Sequence, residues 1–236
     1  MLKVITYNLT PHLPPGSNKK LSAEWFREAI NKLVRKNWKK LEGEKADVSL
    51  FFNHDPETGQ TRIGYPLIIY HFVDGEFYLA GVNEGATAVT ILAGLYKKPF
   101  KVNGILFPGF KKLCEEEAEI KAEAEKLLCY RLEKWIPVHH KEYNGFSGLP
   151  LSEKIQQLNV KLRKHIEAEF GKYLNLNLGT LHVEITNILA THRKPELFKG
   201  YKYFAFDIEF RANITLPRYI TLGNNKALGY GRVSPV

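Results

Sequence analysis

Residues 203–215, YFAFDIEFRANIT, carry the clearest structural pattern in the sequence. Apolar side chains occupy every second position from Phe204 to Ile214, and mostly polar side chains, among them Asp207 and Arg211, occupy the positions between them. Because successive side chains of a β-strand point to opposite faces of the sheet, this alternation predicts a strand. One of its faces should lie on a core, and the other should face water or a ligand.

Upstream of this strand, Ser152–Phe170 repeats apolar side chains at helical spacing and Leu181–Thr191 alternates as a further strand. The first half of the sequence has the same order of elements. It consists of a strand over Lys3–Asn8, a helix from Ser22, strands over Val48–Phe52, Tyr65–Phe72 and Phe77–Val82, and a short helix over Thr87–Tyr96. Asp74-Gly75 predicts a hairpin turn between the last two strands.

The order strand–helix–strand–strand–helix fits a ferredoxin-like βαββαβ unit. We therefore predict an α+β fold of tandem ferredoxin-like (RRM-like) βαββαβ halves, with a boundary near Lys97–Gly104 that divides the chain into residues 1–98 and 99–236. Between the halves, Lys111–Glu133 is rich in Glu, Ala, Lys and Leu, which favours helix. Within this region Cys129–Pro137 also has the composition of the start of a strand.

The composition is that of a basic globular protein. It has 34 Lys and Arg residues against 25 Asp and Glu, a formal net charge of +9. Such a charge favours polyanionic partners, of which nucleic acid is the commonest, although anionic lipid attracts basic proteins too. The two cysteines are too far apart for a close metal-ligand pair and too few for a disulfide framework. No apolar run is long enough to span a bilayer, and the first residues do not have the pattern of a secretory signal, so we expect a cytoplasmic protein.

Basic side chains are concentrated at the C-terminal end of the helix predicted from Ser22. These candidate nucleic-acid-binding residues are Arg35, Lys36, Lys39 and Lys40.

The second candidate nucleic-acid-binding element is the glycine-rich tail Leu222–Val233, LGNNKALGYGRV. Glycine allows positive φ and close backbone approach, and exposed amides in such a loop can bind an anion. The residues expected to bind a nucleic-acid backbone are Gly223, Asn225, Lys226, Gly229, Gly231 and Arg232. Composition alone fits a glycine-rich hairpin that closes a sheet equally well.

The segment Phe210–Val233 resembles the C-terminal signature of CRISPR-associated RAMP proteins, and more narrowly that of the endoribonucleases that process repeat transcripts. In those proteins a strand ending in Asn and Leu-Pro leads into a glycine-rich loop with Lys and then Gly-aromatic-Gly; Thr221 stands where many members have another glycine. Leu50–Tyr70 resembles the family's Asn-His turn and the Tyr-Pro strand that follows it. A weaker resemblance covers Tyr130–Val138 and the helix after it.

This resemblance implies metal-independent cleavage of CRISPR repeat transcripts. The 2′-OH attacks the neighbouring phosphate and leaves a 2′,3′-cyclic phosphate and a 5′-OH, which requires a base, an acid and donors for the developing charge. His54 occupies the family's histidine position, whereas Phe52 stands where close relatives often have a second histidine. Tyr65 is the next catalytic candidate, or else packs in the core as a strand aromatic. Arg62 and Lys40 are candidates for charge stabilisation, or are solvated surface residues.

The same resemblance implies CRISPR repeat RNA as the partner, hand-over of the product to a CRISPR effector complex, and no metal or other cofactor. It leaves a homodimer open. The main alternative is a non-catalytic RAMP subunit that only holds guide RNA. A 2′-5′ RNA phosphoesterase is excluded, because none of the eight histidines begins a His-x-Thr/Ser motif. A metal-dependent nuclease is disfavoured, because Asp207 and Glu209 lack an evident third carboxylate partner.

Overall fold

The computed structural model describes residues 1–12, 21–52, 64–102, 104–123, 126–191, 196–198 and 201–236. The chain forms two compact units. The N-terminal unit consists of residues 2–117 and 227–229, and the C-terminal unit of residues 1, 118–226 and 230–236. In the described part of the chain, no helix combines the length and apolar character that a membrane span requires.

The N-terminal unit is built on a four-stranded sheet with the order β2-β3-β1-β6. Its elements are β1 (Leu2–Asn8), α1 (Ala23–Lys36), α2 (Trp38–Gly43), a 3-10 turn (Val48–Phe51), β2 (Ile68–Val73), β3 (Glu76–Val82), α3 (Glu84–Leu95), β4 (Phe100–Val102), β5 (Ile105–Phe107) and β6 (Lys111–Ala118). Strands β4 and β5 form a separate hairpin. With β1, α1, β2, β3, α3 and β6 taken in order, the unit is a βαββαβ arrangement.

Local sequence explains how this unit starts and turns. The Ser22 hydroxyl accepts a hydrogen bond from the Trp25 amide (3.1 Å) and so caps α1. The buried face of α1, which includes Phe26 and Ile30, packs into the core. Asp74 and Gly75 both have positive φ, 51° and 82°, as the two-residue turn between β2 and β3 requires. The hairpin predicted at Asp74-Gly75 is therefore present.

The C-terminal unit is built on a four-stranded sheet with the order β12-β7-β11-β8. Its elements are β7 (Leu128–Trp135), a 3-10 turn (His140–Glu142), α4 (Tyr143–Ser147), α5 (Leu151–Ile166), a π-helical turn (Glu167–Tyr173), β8 (Val183–Thr191), β9 (Glu196–Phe198), β10 (Tyr201–Tyr203), β11 (Phe206–Ala212) and β12 (Arg232–Pro235). Strands β9 and β10 form a two-stranded sheet. A further 3-10 turn spans Lys226–Leu228.

When the strands of each unit are counted along the chain, both sheets have the spatial order fourth, first, third, second. This is the ferredoxin-like order, so the predicted tandem α+β fold is confirmed. The units differ between their third and fourth strands. The N-terminal unit has α3 there, whereas between β11 and β12 the chain has the glycine-rich tail with only the short Lys226–Leu228 turn.

Two predicted elements were wrong. Lys111–Glu133 is not helical but contains β6 and most of β7, with Tyr130 and Leu132 buried. Sheet pairing with β1, β11 and β12 overrides the local helix preference of its Glu, Ala and Lys residues. Val48–Phe52 is not a strand, because Val48–Phe51 forms a 3-10 turn capped by the Asp47 carboxylate.

The strand predicted over Tyr203–Thr215 is β11, which is shorter, and its apolar side chains Phe206, Ile208 and Phe210 are buried as the alternation predicted. The division between the units follows Glu117 and not Lys97–Gly104. The reason is that β6 completes the N-terminal sheet beside β1.

Candidate nucleic-acid interface

The N-terminal unit presents a basic surface at the junction of α1 and α2. Its four cations, all exposed, are Arg35, Lys36, Lys39 and Lys40. Arg35 and Lys36 lie in the last turn of α1, where the helix dipole favours positive charge. We call these four residues the α1–α2 basic surface; its density of exposed charge suits a polyphosphate.

An aromatic stack adjoins the α1–α2 basic surface. The Arg35 guanidinium carbon lies 5.3 Å from the centre of the Phe52 ring, and the Phe52 ring stacks on Trp38 at 5.8 Å and 27°. Phe52 therefore serves as a packing residue in the position where close relatives often carry a histidine. It directly precedes Asn53 and His54 in the chain.

Two of the candidate site residues, His54 and Arg62, lie outside the described residues. Tyr65 is described and is only 7% exposed. This burial favours the interpretation of Tyr65 as a packing residue. A role for its hydroxyl at the substrate remains a prediction.

In the glycine-rich tail, the conformation and packing of the protein itself require glycine at Gly223 and Gly231. Their φ angles are +92° and +69°, in the region that L-residues avoid. A Cβ on Gly223 would lie 2.8 Å from the Ile136 carbonyl oxygen and the Trp135 ring. A Cβ on Gly231 would lie 1.9 Å from the Leu222 carbonyl oxygen. Both glycines are buried, and the Gly231 backbone pairs with Lys134 of β7 and with Leu222 of the tail.

The short segment Ala227–Gly229 of the tail belongs to the N-terminal unit. Gly229 has φ +74°, and a Cβ there would lie 2.8 Å from the His71 Nδ1 atom and 2.9 Å from the Tyr70 carbonyl oxygen. His71 and Tyr70 belong to β2 and are fully or almost fully buried. Gly229 is therefore also a close-packing position.

The Lys226 ammonium is turned toward the protein. It lies 2.5 Å from the Glu169 Oε1 atom, and the exposed fractions of the two side chains are 16% and 3%. Burial raises the pKa of the Glu169 carboxyl, and the charge of Lys226 opposes that rise. Lys226 also lies 5.9 Å from the centre of the Tyr173 ring, in the same π-helical turn as Glu169.

A partly buried histidine, His165, lies one helical turn before Glu169. The Trp135 indole N–H donates to the His165 Nδ1 atom at 3.1 Å. Burial, together with the charges of Lys226 and Lys161, lowers the pKa of His165 to about 4. His165 is therefore a neutral hydrogen-bond acceptor near pH 7. An acceptor at Nδ1 places the ring proton on Nε2.

The remaining polar tail residues have defined conformations. Asn225 has φ 59°, a left-handed conformation that asparagine tolerates better than most residues. The Arg232 Nε atom donates to the Glu133 carboxylate at 2.9 Å, and the Arg232 side chain is 16% exposed. Like Lys226, Arg232 thus holds a carboxylate of its own unit.

Sequence analysis missed His165 and Glu169. The available signal was their spacing of four residues, which places them on the same side of a helix and beside Ile166 and Phe170 of the predicted apolar face. Polar residues at the edge of a core face need partners. Within the described residues, no group of three or more His, Cys, Asp or Glu side chains is arranged to hold a metal ion.

Comparison with known proteins identifies the C-terminal part of the chain. Residues 122–236 match the family model of the Cas6b C-terminal domain. The C-terminal unit is therefore similar to the C-terminal domain of the Cas6b-type CRISPR-associated proteins.

Solved structures share the fold over the whole chain. A crystal structure of Cas6b has 19% sequence identity and a TM-score of 0.73, with 100% of both chains covered. A second, described as a CRISPR RNA processing endoribonuclease Cas6b, has 20% identity and a TM-score of 0.61, covering 99% of this chain and 100% of the other. Csf5, a type IV Cas6 crRNA endonuclease, has 16% identity and a TM-score of 0.61, with 100% of both chains covered. No curated protein matches the sequence.

Proposed function

We propose that this protein is an endoribonuclease that cleaves CRISPR repeat transcripts (pre-crRNA) into guide RNA units without a metal ion. The observation that carries the proposal is the match of residues 122–236 to the Cas6b C-terminal domain, joined to a fold shared over the full chain with two proteins described as CRISPR RNA endonucleases. The net charge of +9 supports a polyanionic substrate.

In the proposed reaction the substrate supplies its own nucleophile. The 2′-OH next to the cleaved bond attacks the phosphate, the bond to the 5′-oxygen breaks, and the products carry a 2′,3′-cyclic phosphate and a 5′-OH. His54 takes a proton from the 2′-OH or gives one to the leaving oxygen, since imidazole suits either role near neutral pH. Tyr65 and Arg62 are further candidates for orienting the phosphate and stabilising its charge.

The α1–α2 basic surface is proposed to hold the RNA backbone. Phe52, whose ring contacts both Arg35 and Trp38, directly precedes in sequence the segment that carries His54. Cations beside the reacting phosphate both position the strand and stabilise the charge that develops during cleavage. We therefore place RNA binding and chemistry next to each other in the N-terminal unit.

A cleavage assay tests the reaction. The purified protein is incubated in EDTA with the repeat RNA transcribed beside its gene, and with the same RNA carrying 2′-deoxy at the cleaved nucleotide. We expect one cut in the first RNA and none in the second. Loss of cutting in EDTA would remove the metal-free mechanism.

The role of His54 is tested by His54→Ala, with His182→Ala as the matched control because His182 is an exposed histidine of the other unit. We expect His54→Ala to abolish cutting while RNA binding persists, and His182→Ala to cut normally. Undiminished activity in His54→Ala would move the site elsewhere. A wild-type protein that binds the repeat RNA and never cuts it would instead be a guide-RNA-binding subunit.

The α1–α2 basic surface is tested through the salt dependence of RNA binding. Each phosphate contact on single-stranded RNA contributes about 0.7 to the slope of log K against log salt, so Lys39→Ala with Lys40→Ala should reduce its magnitude by about 1.4. The control replaces Lys97 and Lys98, an exposed lysine pair of the same unit, and should leave the slope unchanged. Equal slopes in all three proteins would contradict this placement of the RNA.

A further inference from the structure

The lysine of the glycine-rich tail, Lys226, has a side chain that is largely buried in the protein. The Lys226 side chain is 16% exposed, and its ammonium lies 2.5 Å from the carboxylate of Glu169, whose side chain is 3% exposed. An RNA phosphate would have to take Lys226 away from Glu169 and leave that carboxylate buried without its cation. A buried charge that loses its partner is strongly unfavourable.

The π-helical turn Glu167–Tyr173 supplies both sides of this contact. Glu169 accepts from Lys226, and Tyr173 places its ring 5.9 Å from the same ammonium. π-helical turns are rare because their backbone geometry is less favourable than that of an α-helix. They occur frequently at functional sites. Here the turn brings Glu169 and Tyr173 to one cation.

The loop around Lys226 is also held by hydrogen bonds of its backbone and polar side chains. The Thr221 hydroxyl donates to the Lys226 carbonyl oxygen at 3.3 Å, and the Asn224 backbone and side-chain amides both donate to the Ile136 carbonyl oxygen at 3.1 Å. Between them Asn225 holds its left-handed conformation. The ion pair thus anchors the middle of a loop whose start is tied to the end of β7.

We propose that Glu169 and Lys226 form a positioning pair that fixes the glycine-rich tail for RNA binding, and that Lys226 is not itself a phosphate ligand. This inference rests on the proposed function. It assigns a role to Glu169, a residue outside the tail, and it implies that exposed groups of the protein bind the RNA phosphates.

The experiment measures the binding of an uncleavable 2′-deoxy repeat RNA at several salt concentrations. The variants are Lys226→Met, Glu169→Gln and the double variant. We expect each single variant to bind about tenfold more weakly, and the double variant to bind no more weakly than either single one, because coupled partners are not additive. The slope of log K against log salt should stay at the wild-type value throughout.

A phosphate-binding Lys226 predicts the opposite pattern. Lys226→Met would then reduce the slope by about 0.7, and Glu169→Gln would leave binding equal or tighter because it releases the lysine. Either result overturns the positioning role. Lys226→Arg keeps the ion pair and should restore binding; failure of this rescue also counts against the proposal. Because the RNA cannot be cut, a wild-type protein without nuclease activity would sink the proposed cleavage and leave this test intact.

Discussion

Gly231→Ala is expected to destabilise the C-terminal unit strongly. At φ +69° an alanine would pay the cost of the left-handed region, about 1–2 kcal/mol. Its Cβ would also meet the Leu222 carbonyl oxygen at 1.9 Å, so the backbone would have to move. That movement works against the hydrogen bonds Leu222 N–H to Gly231 C=O (2.8 Å) and Gly231 N–H to Lys134 C=O (3.2 Å).

Each of those hydrogen bonds contributes about 1 kcal/mol net. The conformational cost and the two bonds together give a loss of about 3–4 kcal/mol in the free energy of unfolding, a large value for one methyl group. One of these bonds ties Gly231, the residue before β12, to Lys134 of β7, and the other ties it to Leu222 at the start of the glycine-rich tail. The loss should therefore appear in the C-terminal unit and spare the N-terminal one.

Equilibrium urea unfolding measures the loss, and hydrogen exchange of the β7 and β12 amides assigns it to this unit. The control is Gly145→Ala in α4, where a Cβ would have nothing within 4 Å. This control should be neutral or slightly stabilising, since alanine favours helix over glycine by up to about 1 kcal/mol. A loss below about 1 kcal/mol in Gly231→Ala would refute the reasoning.

Further predictions concern buried polar groups of the C-terminal unit. The folded pKa of His165, about 4, lies below its ordinary value of 6.5. The neutral form therefore contributes stability that is complete above pH 6.5 and is lost as the pH falls toward 4. The free energy of unfolding should fall by up to about 3 kcal/mol over this range. His165→Asn, which keeps an acceptor for the Trp135 indole, should flatten this part of the stability–pH curve in urea unfolding; an unchanged curve would contradict it. Tyr130→Phe should cost about 1–3 kcal/mol, because the hydroxyl donates to a buried carbonyl (2.9 Å) and accepts from the Leu216 amide (3.0 Å). Tyr173→Phe, at a 38% exposed residue, is its control in the same denaturation series, and equal losses in the two would count against the assignment.

Sequence patterns predicted the fold where the local signal and the tertiary structure agree. The alternation over Phe206–Ala212 and the Asp74-Gly75 turn both report geometry that a few neighbouring residues set by themselves. The failure over Lys111–Glu133 has the opposite cause. Its Glu, Ala and Lys residues prefer helix in isolation, whereas pairing with distant strands decides that β6 and β7 form.

The candidate site divides in the same way. Exposure of the α1–α2 basic surface follows from helix periodicity within two consecutive helices, and the structure shows it. The partner of Lys226 does not follow from local sequence, because Glu169 is 57 positions away and belongs to another element. The sequence around a lysine in a glycine-rich tail does not reveal whether that lysine contacts a phosphate or a buried carboxylate.

The assignment of Ala227–Gly229 to the N-terminal unit limits how the protein can be divided. A fragment ending at Glu117 would omit three residues of its own unit and expose the backbone of β2 at Tyr70 and His71. Exchange of N-terminal halves between relatives would meet the same obstacle, since the matching tail residues would have to be transplanted with them. The two halves are therefore repeats in topology but not interchangeable modules.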